Sequence, residues 1–377
     1  MAMGRQNGSY WLSAAALYRL ATKAHTLLPY YVSRSGYALP AWHYYLEMTR
    51  CCNLRCVMCQ YIQWLRETPA SEQMEGDLTT EEWLRVIDQI PRFALVTFTG
   101  GEPLMRRDFM QLLEHASGRA RTHFITNATL LTEDRARRCV ELAPKRLGGV
   151  GFNFAGVSID GPAGVHDQVR GMPEGFEKST SGVKMLAEFR REAGKACPLI
   201  HVTTVIQKAN LDHLAEMPRV VADMGGDVLN FTLETRSLDL PGYGEADPGS
   251  FRTSDIQSPR LDAQRLADAL HQTRANAEGL GIDLRMPDMP DDEIVRYYSG
   301  ETDLRDFRCG SLWTNLVIGA DGQAYGCWLQ EAGHVRESSL KEIWNGPELR
   351  TFRKRTRQGL YPPCAGCCSL VHHPGRR

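Results

Sequence analysis

The sequence predicts an α/β fold: a parallel sheet built from βαβ units, followed by a small cysteine-rich α+β segment. Three observations predict it. Short apolar runs alternate with helical patterns through residues 42–235, the rhythm of βαβ units. Polar motifs rich in Gly, Asn and Asp directly follow those runs, at the strand ends where parallel α/β folds place their chemistry. The cysteines are bunched, four between Cys51 and Cys59 and three between Cys364 and Cys368.

Residues 1–41 read as an N-terminal helical extension, with Leu12, Ala16, Leu17 and Leu20 at helical spacing, packed on the main domain. Tyr44–Met48 reads as the first strand, and the cysteine loop follows it. Thr79–Ile90 reads as a helix, with Thr80 as N-cap, Glu81 and Glu82 in the first turn and Trp83, Val86 and Ile87 on one face. Ala94–Phe98 is a strand ending in Gly100-Gly101, and Phe109–Ala116 is a helix. His123–Ile125 is a strand ending at Thr126-Asn127, and Asp134–Leu142 is a helix. Val150–Ile159 is a strand that runs into Asp160-Gly161, with a helix near Ser181–Arg191 after it. Strands at Ile200–Ile206 and Val228–Leu233, with a helix over Leu211–Met224 between them, bring the count to six.

Arg236–Arg260 breaks the rhythm with Pro241, Gly242, Gly244, Pro248, Gly249 and Pro259, and reads as a long loop. Leu261–Leu280 is an Ala-rich helix. Beyond Cys309, Gly319-Ala320-Asp321-Gly322 reads as a hairpin turn between Leu316–Ile318 and Gln323–Tyr325. These readings divide the chain into an extension (1–41), a core (42–235), a linker with a connecting helix (236–305) and a C-terminal domain (306–377).

A chain of 377 residues suggests two or three domains and ample core. Lys and Arg number 44 against 45 Asp and Glu, which argues against a dedicated nucleic-acid binder, since that needs a basic surplus. Tyr10–Leu28 comes nearest to a membrane span, but Arg19, Lys23 and His25 interrupt it. Trp11–Tyr18 is too short for a signal peptide. The expectation is a cytoplasmic protein without membrane association. Clustered cysteines in such a protein read as metal ligands before disulfides.

Cys52, Cys56 and Cys59 can wrap one metal centre, and their softness favours iron–sulfur or zinc. Three thiolates leave one position open, which is what a catalytic site keeps for its substrate. The triplet resembles the cluster-binding motif of radical S-adenosylmethionine (SAM) enzymes. The resemblance extends over Trp42–Leu233 in the family's order. Thr99-Gly100-Gly101-Glu102-Pro103 looks like the GGE motif that holds the SAM amino group. Thr126-Asn127-Ala128 is similar to the next strand-end contact. Val157-Ser158-Ile159-Asp160-Gly161-Pro162, with His166-Asp167 and Arg170-Gly171, resembles the segment that holds the SAM ribose and carboxylate.

The resemblance implies a partial (β/α)6 TIM-like barrel in which Cys52, Cys56 and Cys59 hold a [4Fe–4S] cluster. Its fourth iron would bind SAM, with Gly100, Gly101, Glu102, Pro103, Asn127, Ser158, Asp160 and Arg170 around that ligand. It also implies reductive cleavage of SAM to a 5′-deoxyadenosyl radical, hydrogen abstraction from a substrate, and an electron donor such as flavodoxin or ferredoxin. The residue before the last cysteine is commonly aromatic in the family; here it is Met58, whose thioether still packs on a ring.

Cys309, Cys327, Cys364 and Cys367 form a second set: one cysteine near each end of a hairpin, closed by a distant C-x-x-C. Four thiolates fit zinc or iron–sulfur. The set resembles the auxiliary-cluster domains called SPASM or, in shorter form, twitch. Gly322 followed by Cys327, and Ile343-Trp344-Asn345, match their signature. Five cysteines in this region suit one auxiliary [4Fe–4S] cluster, with Cys367 favoured over Cys368 by spacing. Cys51, Cys139, Cys197 and Cys368 lack partners at suggestive spacing and read as packing residues or spectators.

A cluster with all its irons held by thiolates passes electrons more readily than it binds substrate, which suits a net oxidation. The substrate is expected to be a small molecule such as a sugar, aminocyclitol or lipid precursor, because residues 1–41 are too few for a peptide-recognition module. A ribosomal peptide or protein is the alternative. Glu234, Arg236, His166 and Arg170 are candidates to face it. A non-catalytic metal scaffold is the reading from another class, and Cys52, Cys56, Cys59 and Glu102 together speak against it.

Overall fold

The computed structural model describes residues 24–26, 28–235 and 245–374. The helix expected over Leu12–Leu20, residue Arg236 and the start of the long loop lie outside the described residues.

Strands β1 (His43–Glu47), β2 (Leu95–Thr99), β3 (Arg121–Thr126), β4 (Gly151–Ser158), β5 (Leu199–Ile206) and β6 (Val228–Leu233) pair in parallel in chain order. The three-residue β7 (Asp283–Arg285) extends one side in parallel. On the other side β9 (Asn315–Ile318) pairs with β1, also in parallel. The antiparallel β10 (Gln323–Cys327) and β11 (Gln330–His334) follow. The sheet therefore has ten strands and two open edges, a partial barrel rather than a closed one. The expected hairpin is not a separate sheet, since its first strand continues the barrel.

Helices α1 (Ile62–Glu67), α2 (Thr80–Asp88), α3 (Phe109–Ser117), α4 (Glu133–Leu142), α5 (Ala163–Arg170) and α6 (Gly175–Glu192) lie along the first five strands in chain order. Phe98, Phe124 and Phe152 point to the helix-covered face, where Phe109 of α3 meets the first two edge-on at 5.7 Å. Alternation then puts Thr97 and His123 on the opposite, inner face, and a register shift in the β3–β4 ladder sets Phe154 opposite His123 there.

Several expected boundaries move. The N-cap of α2 is Thr79, not Thr80: its hydroxyl takes the Glu82 amide at 3.2 Å while Glu82 takes the Thr79 amide at 2.8 Å. The helix expected from Ser181 begins at Gly175, and α5 was not expected at all. The helix expected over Leu211–Met224 is a 3₁₀ stretch, Lys208–Glu216, followed by α7, Met217–Asp223. Pro218 explains the break, because it has no N–H to continue a ladder but suits a first helical turn. The connecting helix is α8, Ala263–Leu280. Then come α9 (Asp291–Ser299), α10 (Leu340–Trp344) and α11 (Pro347–Gln358).

Arg353 of α11 anchors the C-terminal region. It is fully buried and lies 4.2 Å over the Trp344 ring. It donates to the carbonyls of Leu312, Trp344 and Gly36 at 2.7, 2.8 and 3.2 Å. Trp344 and Asn345 in turn hold the carbonyls of Leu39 and Ala38. The Ile343-Trp344-Asn345 motif thus staples the segment before β1 to the C-terminal region.

The inner face carries three histidines. His43 Nε2 and His123 Nδ1 share the Thr97 hydroxyl at 2.7 and 3.1 Å, and the His123 and His201 rings are 6.4 Å apart. Burial, with help from neighbouring positive charge, lowers His43 and His123 to about 3 and His201 to about 4. An unfolded histidine takes its proton near pH 6.5. Between those values the unfolded chain binds more protons. Stability is therefore full above about pH 6.5 and falls as pH drops toward 4, by up to about 1.4 kcal/mol per histidine per pH unit. Denaturation midpoints between pH 7.5 and 5 should show this loss, and His201→Leu should flatten it. An unchanged slope in that variant would contradict the assignment.

Candidate cluster and SAM site

The loop after β1 carries Cys52, Cys56 and Cys59, and it is gripped from two sides. On one side are Gly100 and Gly101. The Gly101 amide donates to the Thr49 carbonyl at 2.7 Å, and the Glu102 amide to the Cys51 carbonyl at 2.9 Å. A Cβ on Gly101 would stand 2.3 Å from the Cys51 oxygen, and one on Gly100, at φ +128°, the same distance from that of Thr49. Glycine is required here for contact between backbones. On the other side is the end of α5, where the Arg55 and Val57 amides donate to the carbonyls of Arg170 and Val169.

Within the loop, the Leu54 amide points at Cys52 Sγ and the Tyr61 amide at Cys59 Sγ, both at 3.4 Å. Arg170 Nη1 lies 3.8 Å from Cys56 Sγ. Burial pushes the Cys52 thiol up to about 12 and raises Cys56 and Cys59 as well. A thiolate here therefore needs a compensating positive charge, and a coordinated metal supplies one. Three soft donors with N–H and guanidinium groups aimed at sulfur fit an iron–sulfur cluster.

The expected SAM residues come to this loop. Glu102 is fully buried. It accepts from the Asn127 amide and the Thr126 hydroxyl at 2.8 Å each and from the Leu104 amide at 3.1 Å. Pro103 follows it and starts a 3₁₀ turn. The Asn127 side chain donates to Asn53 Oδ1 at 2.9 Å and accepts from the amide and hydroxyl of Thr129. Ser158 is half-buried at the end of β4. Asp160 is fully buried, paired with Arg170 Nη2 at 2.5 Å and accepting the Val205 amide at 2.8 Å. Its carboxylate is thus turned to Arg170, so Asp160 acts on the site through that guanidinium.

His166 does not face a substrate. It is 1% exposed and takes the Asp160 amide on Nδ1 at 3.3 Å. The sequence reading missed Asn53 and Thr129, which close the polar ring on Asn127, and Arg106. Arg106 caps the carbonyls of Met48 and Leu78 and pairs with Asp108. Asparagine directly after a cluster cysteine was the available signal. Glu47, at the inner end of β1, receives the Tyr61 hydroxyl, and Arg50 pairs with Asp321 of the hairpin turn at 2.8 Å. The first contact ties the cysteine loop back to β1, and the second joins its start to the C-terminal region.

The second set also assembles. Cys309 ends β8 (Phe307–Cys309), which pairs with β12 (Leu370–His372), and Cys327 ends β10. Cys364 and Cys367 flank a tight turn whose Gly366, at φ +79°, leaves no room for a Cβ beside the Tyr297 ring at 2.5 Å. Burial raises Cys309, Cys327 and Cys364, and each is raised further by its thiol neighbours. The Ser369 amide points at Cys367 Sγ at 3.4 Å, whereas Cys368 is exposed beside it. Cys51, Cys139 and Cys197 are buried. The Tyr45 phenol, on the inner face of β1, is pushed up by burial and, to a smaller extent, by Cys368 and Cys367.

An open parallel barrel with three thiols after its first strand, and four more in the C-terminal region that extends its sheet and adds a small second one, defines an iron–sulfur enzyme of the SAM-cleaving class. The Radical SAM superfamily profile matches residues 46–221, and the SPASM iron–sulfur cluster-binding domain matches 309–368. The chain is 32% identical over 346 residues to the AdoMet-dependent heme synthase of Oleidesulfovibrio alaskensis, covering 87% of this chain and 79% of that protein. It is 27% identical to the tungsten-containing aldehyde ferredoxin oxidoreductase cofactor-modifying protein of Pyrococcus furiosus, over 86% of each. SuiB of Streptococcus suis bound to S-adenosylmethionine shares the fold with a TM-score of 0.59 at 14% identity, over 90% of this chain and 73% of that one. The chain belongs to the radical SAM superfamily and carries a C-terminal SPASM domain. Its cofactors are a [4Fe–4S] cluster with SAM and an auxiliary iron–sulfur cluster. No helix among the described residues is long and apolar enough to cross a membrane.

The close approach at Gly101 is testable without cofactor. Gly101→Ala should destabilise the fold by about 2 kcal/mol or more, because its Cβ meets rigid backbone. Gly279→Ala, in α8 with open space around it, should stabilise by about 1 kcal/mol. Denaturant titration of the two variants checks this, and equal stability would refute it.

Proposed function

We propose that this enzyme oxidises a small molecule held against the inner face of the barrel. Cys52, Cys56 and Cys59 hold the SAM-binding cluster, and Cys309, Cys327, Cys364 and Cys367 hold the auxiliary one. A bound cluster supplies the electron that splits SAM into methionine and a 5′-deoxyadenosyl radical, which takes hydrogen from carbon. The chain's part is to bind, orient and shield. Glu102 offers its carboxylate to the SAM amino group, held in place by Thr126, Asn127 and Leu104. Gly100 and Gly101 let the backbone approach, Asn127 and Ser158 supply polar contacts, and Asp160 aims Arg170.

One observation carries the oxidation. Tyr45 and Glu47 stand two residues apart on the inner side of β1, where Glu47 receives the Tyr61 hydroxyl of the cysteine loop and the parallel neighbour β9 leads into the hairpin strand that ends at Cys327. A substrate there would lie between the two cysteine sets, with an electron acceptor close by. The relatives support a small molecule: three of the first four are named heme synthases, and a further one Fe-coproporphyrin III synthase. A peptide substrate is the second reading, supported by 28% identity over 336 residues to a PqqA peptide cyclase of Bradyrhizobium diazoefficiens.

The test is anaerobic formation of 5′-deoxyadenosine with dithionite and a panel of carboxylated tetrapyrroles, amino sugars and peptides. A small molecule should accelerate it about tenfold or more and be recovered oxidised by two electrons. Acceleration by peptides alone would contradict the proposal.

A further inference from the structure

A cavity of about 590 Å³ lies outside the inner face, walled in part by Leu304, Phe307 and Leu360. Phe307 and Leu360, with Leu370, form a small apolar cluster against which Leu304, Cys309, Cys364 and Cys367 pack. One layer of side chains therefore separates this cavity from the auxiliary cysteines. Among the described residues its charged lining is one-sided: Arg252, Arg305, Arg308 and Arg357 against the carboxylate of Asp303. Asp303 is already paired with Arg305. Arg308 donates to the Tyr31 hydroxyl and Arg357 to the Ser33 carbonyl, both neutral acceptors, so neither contact offsets their charge. The whole chain has a net charge of −1, so this positive ring is local and not a by-product of a basic protein. Tyr31 and Val32 stand nearby, 43% and 70% exposed. Arginine and aromatic side chains around an apolar centre are the composition of a protein interface.

We propose that this face docks an acidic one-electron carrier protein, with the carrier's redox group seated over Phe307 and Leu360 against the auxiliary cluster. One electron crosses and no bond forms or breaks: the carrier is reduced as the cluster is oxidised, or the reverse. An anionic lipid surface would also meet arginines and exposed side chains. The carrier is favoured because the arginines ring a concave cavity whose wall is the apolar shell of the auxiliary thiols. The inference rests on the auxiliary cluster and is independent of the substrate.

The test uses holoenzyme with two probes, an acidic flavodoxin and an acidic [2Fe–2S] ferredoxin, and reads binding at low salt. At least one should bind, and weaken as salt rises to about 0.5 M. The exposed pair Arg252→Glu/Arg305→Glu should lose about tenfold or more in affinity. Lys184→Glu/Arg191→Glu, charges on α6 beside a different cavity, should bind within about twofold of wild type. SAM cleavage driven by dithionite should be the same in all three proteins, while cleavage driven by the bound carrier falls only in the first variant. The proposal is overturned if neither probe binds, if the first variant binds like wild type, or if anionic phosphatidylglycerol vesicles bind in place of the carriers. Wild-type failure to cleave SAM with dithionite would count against the proposed function instead.

Discussion

The structure depends on the cost of burying thiolates. Six of the seven cysteines are raised chiefly by burial, two of them to about 12, and Cys367 is raised first by its contact with Cys368 and then by burial. Such sites are stable in their working form only when metal charge replaces the lost protons. The surrounding chain is arranged to make that exchange possible. Amides and one guanidinium point at sulfur, and glycines let two backbones meet where a methyl group would not fit. The parallel sheet supplies the geometry, because it brings the ends of β1, β2, β3 and β4 to one rim.

The C-terminal region is bound to that rim by continuity more than by docking. β9 extends the parallel ladder of β1, and Arg50–Asp321 and Glu82–Arg336 bridge the same two regions. Arg353 and the Trp344-Asn345 staple fix the segment preceding β1 to it. β1 thereby leads into the first cysteine set and pairs with β9, whose hairpin partner ends at Cys327 of the second. A fixed separation between two redox sites is what an enzyme needs if an electron is to leave its substrate in a definite direction.

Much of this was legible in the sequence, for physical reasons. Strand periodicity and the polar residues that follow each strand are local signals, so the six core strands and the glycine-rich contact at residues 100–101 were readable. The cysteine spacings reported which thiols converge, since C-x-x-C places two on one turn. What was not legible depended on partners distant in sequence. β7 is three residues long and only its pairing makes it a strand, and the parallel pairing of β9 with β1 joins residues far apart in the chain. His166 looked available for a substrate, but tertiary packing buries it against the Asp160 amide. The pairing of Asp160 with Arg170, which orients that guanidinium, was likewise not readable from spacing. The inner histidine layer carries no motif, because His43, His123 and His201 come from three strands and meet only once the sheet curls.

The most direct test of the account is the metal content of anaerobically reconstituted protein, wild type beside the Cys52→Ala/Cys56→Ala/Cys59→Ala variant. Two buried cysteine sets that each hold a cluster predict about eight iron and eight sulfide per wild-type chain, and about four of each in the variant. About four iron with one zinc per wild-type chain would contradict it, making the C-terminal site structural and leaving an electron from the substrate without an acceptor.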